Sequence, residues 1–218
     1  MSNLQNANHL VESIRDGITR LGLQPDKIPV ASYLSYIELL KKWNRAYNLT
    51  AINDPERMVS HHILDSLSVL PYLKGDYCID VGTGAGLPGL ILALAMPEKE
   101  WILLDSNQKK IRFLNQAIID LEIKNVTAIR CRAEEFKPER LFTTVITRAY
   151  GSLALIHDQT RHLLSPDGVI LAMKGNITKK ELDVIDESAQ KVQIHILHVP
   201  SVREHRSLVE ITPLPSAN

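Results

Sequence analysis

Hydrophobic and polar residues follow a helical period in the first third of the chain. Between residues 4 and 21, apolar side chains recur three or four positions apart, which predicts an amphipathic helix. The same period predicts a second helix over about residues 30–47 and a third over about residues 55–70, which ends at Pro71. Residues 1–72 are therefore predicted to form a helical extension.

From residue 73 onward, short apolar runs alternate with helical patterns. Seven runs predict strands, at residues 77–82, 100–105, 126–131, 142–149, 168–175, 192–199 and 207–212. Helices are predicted among them, at about residues 88–96, 107–122, 153–164 and 178–191. This alternation predicts an α/β fold with a mostly parallel seven-stranded sheet flanked by helices, whose last two strands pair as an antiparallel edge. Residues 73–218 form the predicted core, and the extension is expected to pack on it as one compact unit.

Composition and charge give no sign of a protein that binds polyanions through its overall charge, or of a metal or redox site. The 218 residues carry 25 Lys and Arg against 25 Asp and Glu, so the chain has no overall charge to attract polyanions, and contact with nucleic acid needs a local basic patch. Cys78 and Cys131 match no metal or redox spacing. His61 and His62 are adjacent and are expected on different helix faces, so no shared metal is predicted.

The sequence carries no signal for a membrane or for secretion. No apolar run approaches about 18 residues, which predicts no membrane span. The N-terminus is polar and amphipathic and lacks the apolar region of a signal peptide. We therefore expect a cytoplasmic protein with reduced thiols, and we expect it to be a monomer.

The segment DVGTGAGLPG, residues 80–89, directly continues the first predicted strand. Gly82 and Gly84 fit the dinucleotide-binding fingerprint, but Leu87 stands where its third glycine belongs, which disfavours an NAD-dependent reductase. No Lys-Ser or Lys-Thr pair follows, which excludes a P-loop. Ligands of parallel sheets bind beyond the carboxyl ends of the strands, where glycines let the backbone approach closely. Asp105, at the end of the second predicted strand, is placed to accept hydrogen bonds from both hydroxyls of a ribose.

The pattern Asp80-x-Gly82-x-Gly84-x-Gly86 resembles motif I of the Rossmann-like S-adenosylmethionine-dependent methyltransferases. More narrowly, seven segments resemble, in this order, the bacterial glucose-inhibited-division-B family: KWNRAYNLTAI, HHILDSL, DVGTGAGLPGL, LLDSNQKKIRFL, RAEEF, VITRA and MKG. The resemblance covers about residues 41–211. It implies S-adenosylmethionine as the cofactor and methylation of a guanine N7 in a loop of 16S small-subunit rRNA. The rRNA, or the small ribosomal subunit, would then be the partner.

The resemblance also implies a role for each residue of the cofactor site. The residues carried over are Gly82, Gly84, Gly86 and Leu87 at the methionine and ribose, Asp105 at the ribose hydroxyls, Ala133 and Glu134 at the adenine, and Arg148 at the cofactor carboxylate or the guanine O6. Without the resemblance, Arg148 could equally be a solvated residue at the end of a strand. Ala85 stands where many relatives have proline, which is a small departure.

Methylation of guanine N7 limits the chemical groups that the implied site needs. N7 carries a lone pair and no proton, so its methylation depends on positioning and needs no base. The residues after the fourth predicted strand, TRAY, differ from the Asn/Asp-Pro-Pro-aromatic motif of many enzymes that methylate exocyclic amino groups, which argues against an adenine-N6 enzyme. Because side chains cannot read the deep groove of A-form RNA, the target is expected in a loop or unstacked.

Two groups of residues are candidates for contact with RNA. The candidates for positioning the substrate are His62, Asp65, Lys174 and Arg206, and no residue is assigned a chemical role in catalysis. The candidates for phosphate contact and base stacking are Lys41, Lys42, Trp43 and Arg45. Each group has a structural alternative: His62 and Asp65 could hydrogen-bond to each other, and Trp43 could be a core residue.

One further group of charges is predicted to be solvated. Lys109, Lys110 and Arg112 are expected on an exposed helix face.

Two other functions stay open on the sequence. An S-adenosylmethionine-dependent methyltransferase of a small molecule would share the cofactor loop, and a cluster of Lys and Arg beside the pocket would count against it. A non-catalytic, ribosome-associated binding module would have no affinity for the cofactor.

Overall fold

The computed structural model describes residues 2–178, 181 and 190–214. Its α-helical segments are α1 Ser2–Arg20, α2 Val30–Tyr47, α3 Pro55–Met58, α4 Asp65–Leu67, α5 Gly89–Ala95, α6 Gln108–Asp120 and α7 Leu153–Thr160. A π-helical turn, Val59–Leu64, separates α3 from α4. The continuous helix predicted over residues 55–70 is therefore three segments, and the π-helical turn rotates the residues that follow it relative to those before it.

The seven strands form one sheet in the order β3-β2-β1-β4-β5-β7-β6. They are β1 Tyr77–Val81, β2 Glu100–Asp105, β3 Val126–Arg130, β4 Phe142–Arg148, β5 Leu164–Lys174, β6 Gln190–Ile196 and β7 Ser207–Pro213. Strands β1 to β5 run parallel to one another, and β7 runs antiparallel to β5 and to β6. The predicted mostly parallel seven-stranded sheet is confirmed, with β7 inserted between β5 and β6. The predicted helix at 178–191 falls mainly on residues outside those described, and its last two residues belong to β6.

The helical extension shares its core with one face of the sheet. Buried side chains of α1 and α2, such as Ile14 and Leu40, belong to one apolar cluster with Leu90 of α5, Phe113 of α6 and Leu103 of β2. The opposite face packs on α7 in a second cluster. Strands covered by helices on both faces are apolar along their length. This pattern is what allowed β1 and β2 to be predicted from the sequence.

Strand register brings the predicted ligand-binding residues to one edge of the sheet. Val81 of β1 is level with Leu104 of β2, so that Gly82 and Asp105 follow side by side. Asp80 is level with Ile146 of β4, and two residues further along each strand Gly82 is therefore level with Arg148. The carboxyl ends of β1, β2 and β4 consequently meet at a single place, where open α/β sheets bind ligands.

Candidate cofactor and substrate site

The loop after β1 is built on glycines with left-handed backbone. Gly82, Gly84 and Gly86 have φ of 72°, 62° and 87°, values that residues with a Cβ rarely adopt. The amides of Gly82 and Thr83 both donate to the Leu104 carbonyl, at 2.8 and 3.1 Å, which fixes the start of the loop to the end of β2. The glycine spacing read from the sequence is thus required by the backbone.

Asp80, the acid of the motif, is fully buried and fixes the far end of the loop. Its Oδ2 accepts a hydrogen bond from the Gly89 amide at 2.8 Å, at the first residue of α5. Burial raises the pKa of Asp80 to about 6, and the hydrogen bond from Gly89 opposes part of that rise. Asp80 therefore acts as a structural brace from β1 to α5 and is not exposed to a ligand.

The Asp105 carboxylate, at the end of β2, accepts three hydrogen bonds. Its Oδ2 accepts from the Gly84 amide at 3.0 Å and from Lys110 Nζ at 3.1 Å, and its Oδ1 accepts from the Asn107 amide at 2.8 Å. The prediction that Lys110 lies on a solvated helix face is wrong, because α6 starts beside β2 and points this side chain back at the strand end. Lys109 and Arg112 are exposed as predicted.

A cavity of about 270 Å³ opens beside Asp105. Its wall contains four of the predicted cofactor residues, Gly82, Asp105, Ala133 and Glu134. It also contains Lys110, Tyr150 and Gln159, which the sequence analysis did not assign to the cofactor site. An acid, a short helical turn and a glycine backbone around one cavity are the groups that a nucleoside with free ribose hydroxyls requires.

The ring of Tyr150 leaves no room for a side chain at Gly82. A Cβ on Gly82 would stand 2.5 Å from the Tyr150 ring, and the Tyr150 hydroxyl donates to Gln159 Oε1 at 2.6 Å. Gly86 and Leu87 do not line this cavity: a Cβ on Gly86 would meet the Leu90 and Leu114 side chains, and Leu87 is buried in the apolar core. These two positions support the loop from behind.

A second and larger cavity, of about 610 Å³, adjoins the first. Arg148 and all four candidates for positioning the substrate, His62, Asp65, Lys174 and Arg206, line it. The structure thus brings together residues of the π-helical turn, α4, β4, β5 and the connection before β7, which are far apart in the chain.

Ala149 lies between the two cavities and lines both. Its φ of 52° is in the left-handed region, an uncommon conformation for a residue with a Cβ. Because of this turn, Arg148 faces the larger cavity while Tyr150 faces the smaller one.

Asp65 holds two arginines in the larger cavity. Its Oδ2 accepts from Arg148 at 3.0 Å and its Oδ1 accepts from Arg206 at 3.0 Å, and Arg148 donates as well to the His61 carbonyl at 3.0 Å. Asp65 itself is only 2% exposed. The buried carboxylate therefore fixes both guanidinium groups at the cavity wall.

The suggested hydrogen bond between His62 and Asp65 is wrong. His62 Nε2 lies 3.0 Å from Thr50 Oγ1 instead, since the π-helical turn that contains His62 moves it off the face that it would share with Asp65 in an α-helix. Burial, and then the charge of Arg148, lowers the pKa of His62 to about 4. His62 is consequently neutral at physiological pH.

Lys174 ends β5 at the same cavity. Its Nζ donates to the Gly151 carbonyl at 2.8 Å and lies 2.8 Å from the Glu181 carboxylate.

The candidate stacking group on α2 lies elsewhere. Lys41, Lys42, Trp43 and Arg45 are not among the residues that line the two cavities. Trp43 stacks on Tyr47, with ring centroids 5.2 Å apart, and meets Phe113 edge-on at 5.8 Å. Trp43 is therefore partly buried against the apolar core, and its contact with RNA stays a prediction.

A cationic groove, which the sequence analysis did not foresee, continues from the larger cavity. Arg206 and Leu197 line both the cavity and an adjacent hollow of about 340 Å³. The hollow also carries Arg20 and Arg203, and among the described residues that line it Glu204 is the one carboxylate. Arg20 comes from the end of α1, so this surface forms only when the helical extension meets the β6–β7 connection.

Two kinds of site are absent from the described part of the chain. No three or more His, Cys, Asp or Glu side chains there are grouped to hold a metal ion. No helix within those residues is long and apolar enough to cross a membrane.

Known proteins resemble this chain both in sequence and in structure. A family model described as rRNA small subunit methyltransferase G matches residues 30–209. The chain is 47% identical over 202 residues to a ribosomal RNA small subunit methyltransferase G of Coxiella burnetii, covering 93% of this chain and 98% of the relative. A relative with the same description from Nitrosococcus oceani is 44% identical over 200 residues, covering 92% and 94%.

Solved structures share the fold at low sequence identity. A SAM-dependent methyltransferase from Aquifex aeolicus superposes with a TM-score of 0.56 at 14% identity, over 75% of this chain and 96% of that one. An rRNA methylase from Streptococcus thermophilus gives a TM-score of 0.52 at 13% identity, over 70% and 95%.

The sheet order gives this chain a Rossmann-like fold of the class that solved SAM-dependent methyltransferases share. Within that class, the chain belongs to the rRNA small subunit methyltransferase G family, the glucose-inhibited-division-B family that its motifs resemble. The predicted family is confirmed.

Proposed function

We propose that this protein binds S-adenosylmethionine in the smaller cavity and methylates a guanine N7 in a loop of 16S rRNA. The observation that carries the proposal is the meeting of two cavities at Ala149, one beside the Asp105 carboxylate and the other lined by three cations, Arg148, Lys174 and Arg206. The chain's family membership supports the choice of rRNA as the substrate.

The described residues fit the cofactor. Asp105 would accept from the ribose hydroxyls, the Ala133–Glu135 turn would flank the adenine, and the glycine loop would approach the rest of the molecule with its backbone. When bound, S-adenosylmethionine supplies a methyl group on a positively charged sulfur.

The larger cavity suits a target atom that has no proton to lose. The lowered pKa of His62 makes it a weak base whose Nε2 lies against Thr50, and both oxygens of Asp65 accept hydrogen bonds from arginines, so neither group is placed to act as a free base. N7 methylation does not require one. The cations are donors only, and they match the O6 acceptor beside N7 on the guanine edge. Catalysis then rests on holding N7 in line with the methyl group.

The cationic groove supplies a path for the RNA on either side of the target. Arg20, Arg203 and Arg206 would neutralise phosphates of a loop whose guanine enters the larger cavity. The net charge of zero for the whole chain makes such a local concentration of arginine informative. A methyltransferase of small molecules has no need of it.

A methyl-transfer assay tests the proposal. The protein is incubated with S-adenosylmethionine that carries a labelled methyl group and with unmodified 16S rRNA or small subunits, and the nucleosides are then separated. We expect label in 7-methylguanosine. Label in another nucleoside would keep the class and refute the atom, and cofactor binding without labelled RNA would favour a small-molecule substrate. Absence of cofactor binding would favour a binding module.

Two pairs of variants locate the sites. Asp105→Ala should raise the Kd for S-adenosylmethionine by about tenfold or more, since the carboxylate is a charged acceptor. Asp76→Ala, which removes an exposed carboxylate paired with Arg140, should leave the Kd for S-adenosylmethionine unchanged.

Arg203→Ala should raise the KM for rRNA and flatten the salt dependence of that KM without changing the Kd for the cofactor. Arg112→Ala, an exposed arginine on α6, is its control.

A further inference from the structure

A buried hydrogen bond joins the helical extension to the middle of the cofactor loop. The Tyr36 hydroxyl, on α2, donates to the Ala85 carbonyl at 2.8 Å. Tyr36 is fully buried, and Ala85 stands between Gly84 and Gly86. Sequence reasoning did not single out Tyr36, because its position shows only a residue on the apolar face of a helix.

The Ala85 carbonyl depends on this hydroxyl. No backbone amide of the described residues outside regular helices and strands donates to it, whereas the Thr83 carbonyl in the same loop accepts from the amides of Gly86 and Leu87. A buried carbonyl without a donor is costly, so the loop conformation that places Ala85 against Tyr36 is favoured over others that glycine would allow.

The Tyr36 ring is itself held in place. Phe113 of α6 meets it edge-on, with centroids 6.3 Å apart and planes at 61°. The same helix carries Lys110, which contacts Asp105. The hydroxyl, the loop and the strand-end acid thus belong to one connected set of contacts.

A second tyrosine on the same helix provides a comparison. The Tyr33 hydroxyl donates to the Ile91 carbonyl at 3.0 Å, and Tyr33 is buried to the same extent as Tyr36. Ile91 lies within α5, whose backbone is fixed by its own hydrogen bonds. One tyrosine therefore contacts a self-supporting helix, and the other contacts a loop of glycines.

We propose that Tyr36 is a positioning residue that holds the cofactor loop in its binding conformation, so that the helical extension sets the affinity for the cofactor. This proposal rests on the proposed binding of S-adenosylmethionine. Tyr36 acts through the backbone of Ala85 and is not itself expected to touch the ligand.

Tyr36→Phe and Tyr33→Phe test it as a matched pair, because each removes one buried hydroxyl from α2. We expect both to lower the Tm to a similar degree. Only Tyr36→Phe should raise the Kd for S-adenosylmethionine, by roughly threefold to tenfold in isothermal titration calorimetry. Hydrogen exchange of the amides of residues 82–87 should accelerate in Tyr36→Phe and not in Tyr33→Phe.

An unchanged Kd in Tyr36→Phe, or an equal rise in both variants, would overturn the proposal and leave Tyr36 a purely structural residue. Should Tyr36→Phe unfold in plain buffer, all three proteins are compared in trimethylamine oxide, which favours the folded state. Failure of the wild type to bind the cofactor would refute the proposed function separately, and the hydrogen exchange of the loop would still decide whether Tyr36 restrains it.

Discussion

Removal of the Asp65 carboxylate is the perturbation for which the structure gives the clearest magnitude. The side chain of Asp65 is 3% exposed and accepts from two arginines at 3.0 Å each, and those arginine side chains are 22% and 24% exposed. Breaking a fully buried ion pair costs about 3–5 kcal/mol, because an uncompensated charge is left behind. The partial exposure of both guanidinium groups lets water screen them, which places our expectation for Asp65→Ala near about 3 kcal/mol.

The chain offers a matched control for that substitution. Asp26 accepts from Arg15 at 3.1 Å, but their side chains are 90% and 50% exposed. Asp26→Ala should cost under about 1 kcal/mol, as exposed pairs do. Each contact joins an aspartate to an arginine at nearly the same distance, so the comparison measures what burial and the second arginine partner of Asp65 add together.

Urea denaturation followed by circular dichroism measures both values, and a thermal scan checks them. For a chain of this length, a loss of about 3 kcal/mol lowers the Tm by about 6–12 °C. Arg206→Ala and the double variant with Asp65→Ala complete a cycle that gives the coupling of this one pair. A cost for Asp65→Ala no greater than that for Asp26→Ala, or a coupling near zero, would refute the account of Asp65 as the anchor of two arginines.

Two further predictions concern pH and the glycine loop. Folding lowers the pKa of His62 from 6.5 to about 4. As the pH falls between those values, His62 is protonated in the unfolded chain before it is protonated in the folded protein. Its protonation therefore lowers the free energy of unfolding progressively over that range. The stability difference between wild type and His62→Gln, from urea titrations, should therefore shrink toward pH 4 and be constant above pH 7; a pH-independent difference would contradict this. Gly82→Ala should lower the Tm well beyond Gly22→Ala, since both have φ above 70° but only the first would clash with Tyr150, at 2.5 Å; equal losses would show that backbone strain alone matters.

Much of the fold and of the cofactor site could be predicted from local pattern. The helix predicted at about residues 30–47 is Val30–Tyr47, and the strand predicted at residues 100–105 is Glu100–Asp105. Each carries its own periodicity, so no distant contact is needed to specify it. The break in the third predicted helix was missed, because VSHHILDSL keeps an apolar helical pattern while its backbone widens into a π-helical turn.

The substrate cavity shows how much a family resemblance could predict and what it could not. His62, Asp65, Lys174 and Arg206 were named as one group from a family resemblance, and the structure places all four at one cavity. Their partners were not predictable. Asp65 contacts arginines 83 and 141 positions away in the chain, so its neighbours depend on how α4, β4 and the β6–β7 connection pack.

The sequence by itself determined the order of the elements, the parallel sheet, the left-handed glycines of the cofactor loop and the acid at the end of β2, since each follows from a local period or from a conformation that only glycine adopts readily. The tertiary structure alone decided that Lys110 turns back to Asp105, that Asp65 holds two arginines and that Tyr36 supports the Ala85 carbonyl. These contacts join elements that meet only when the core closes. A side chain's partner is set by that packing, which no local pattern encodes.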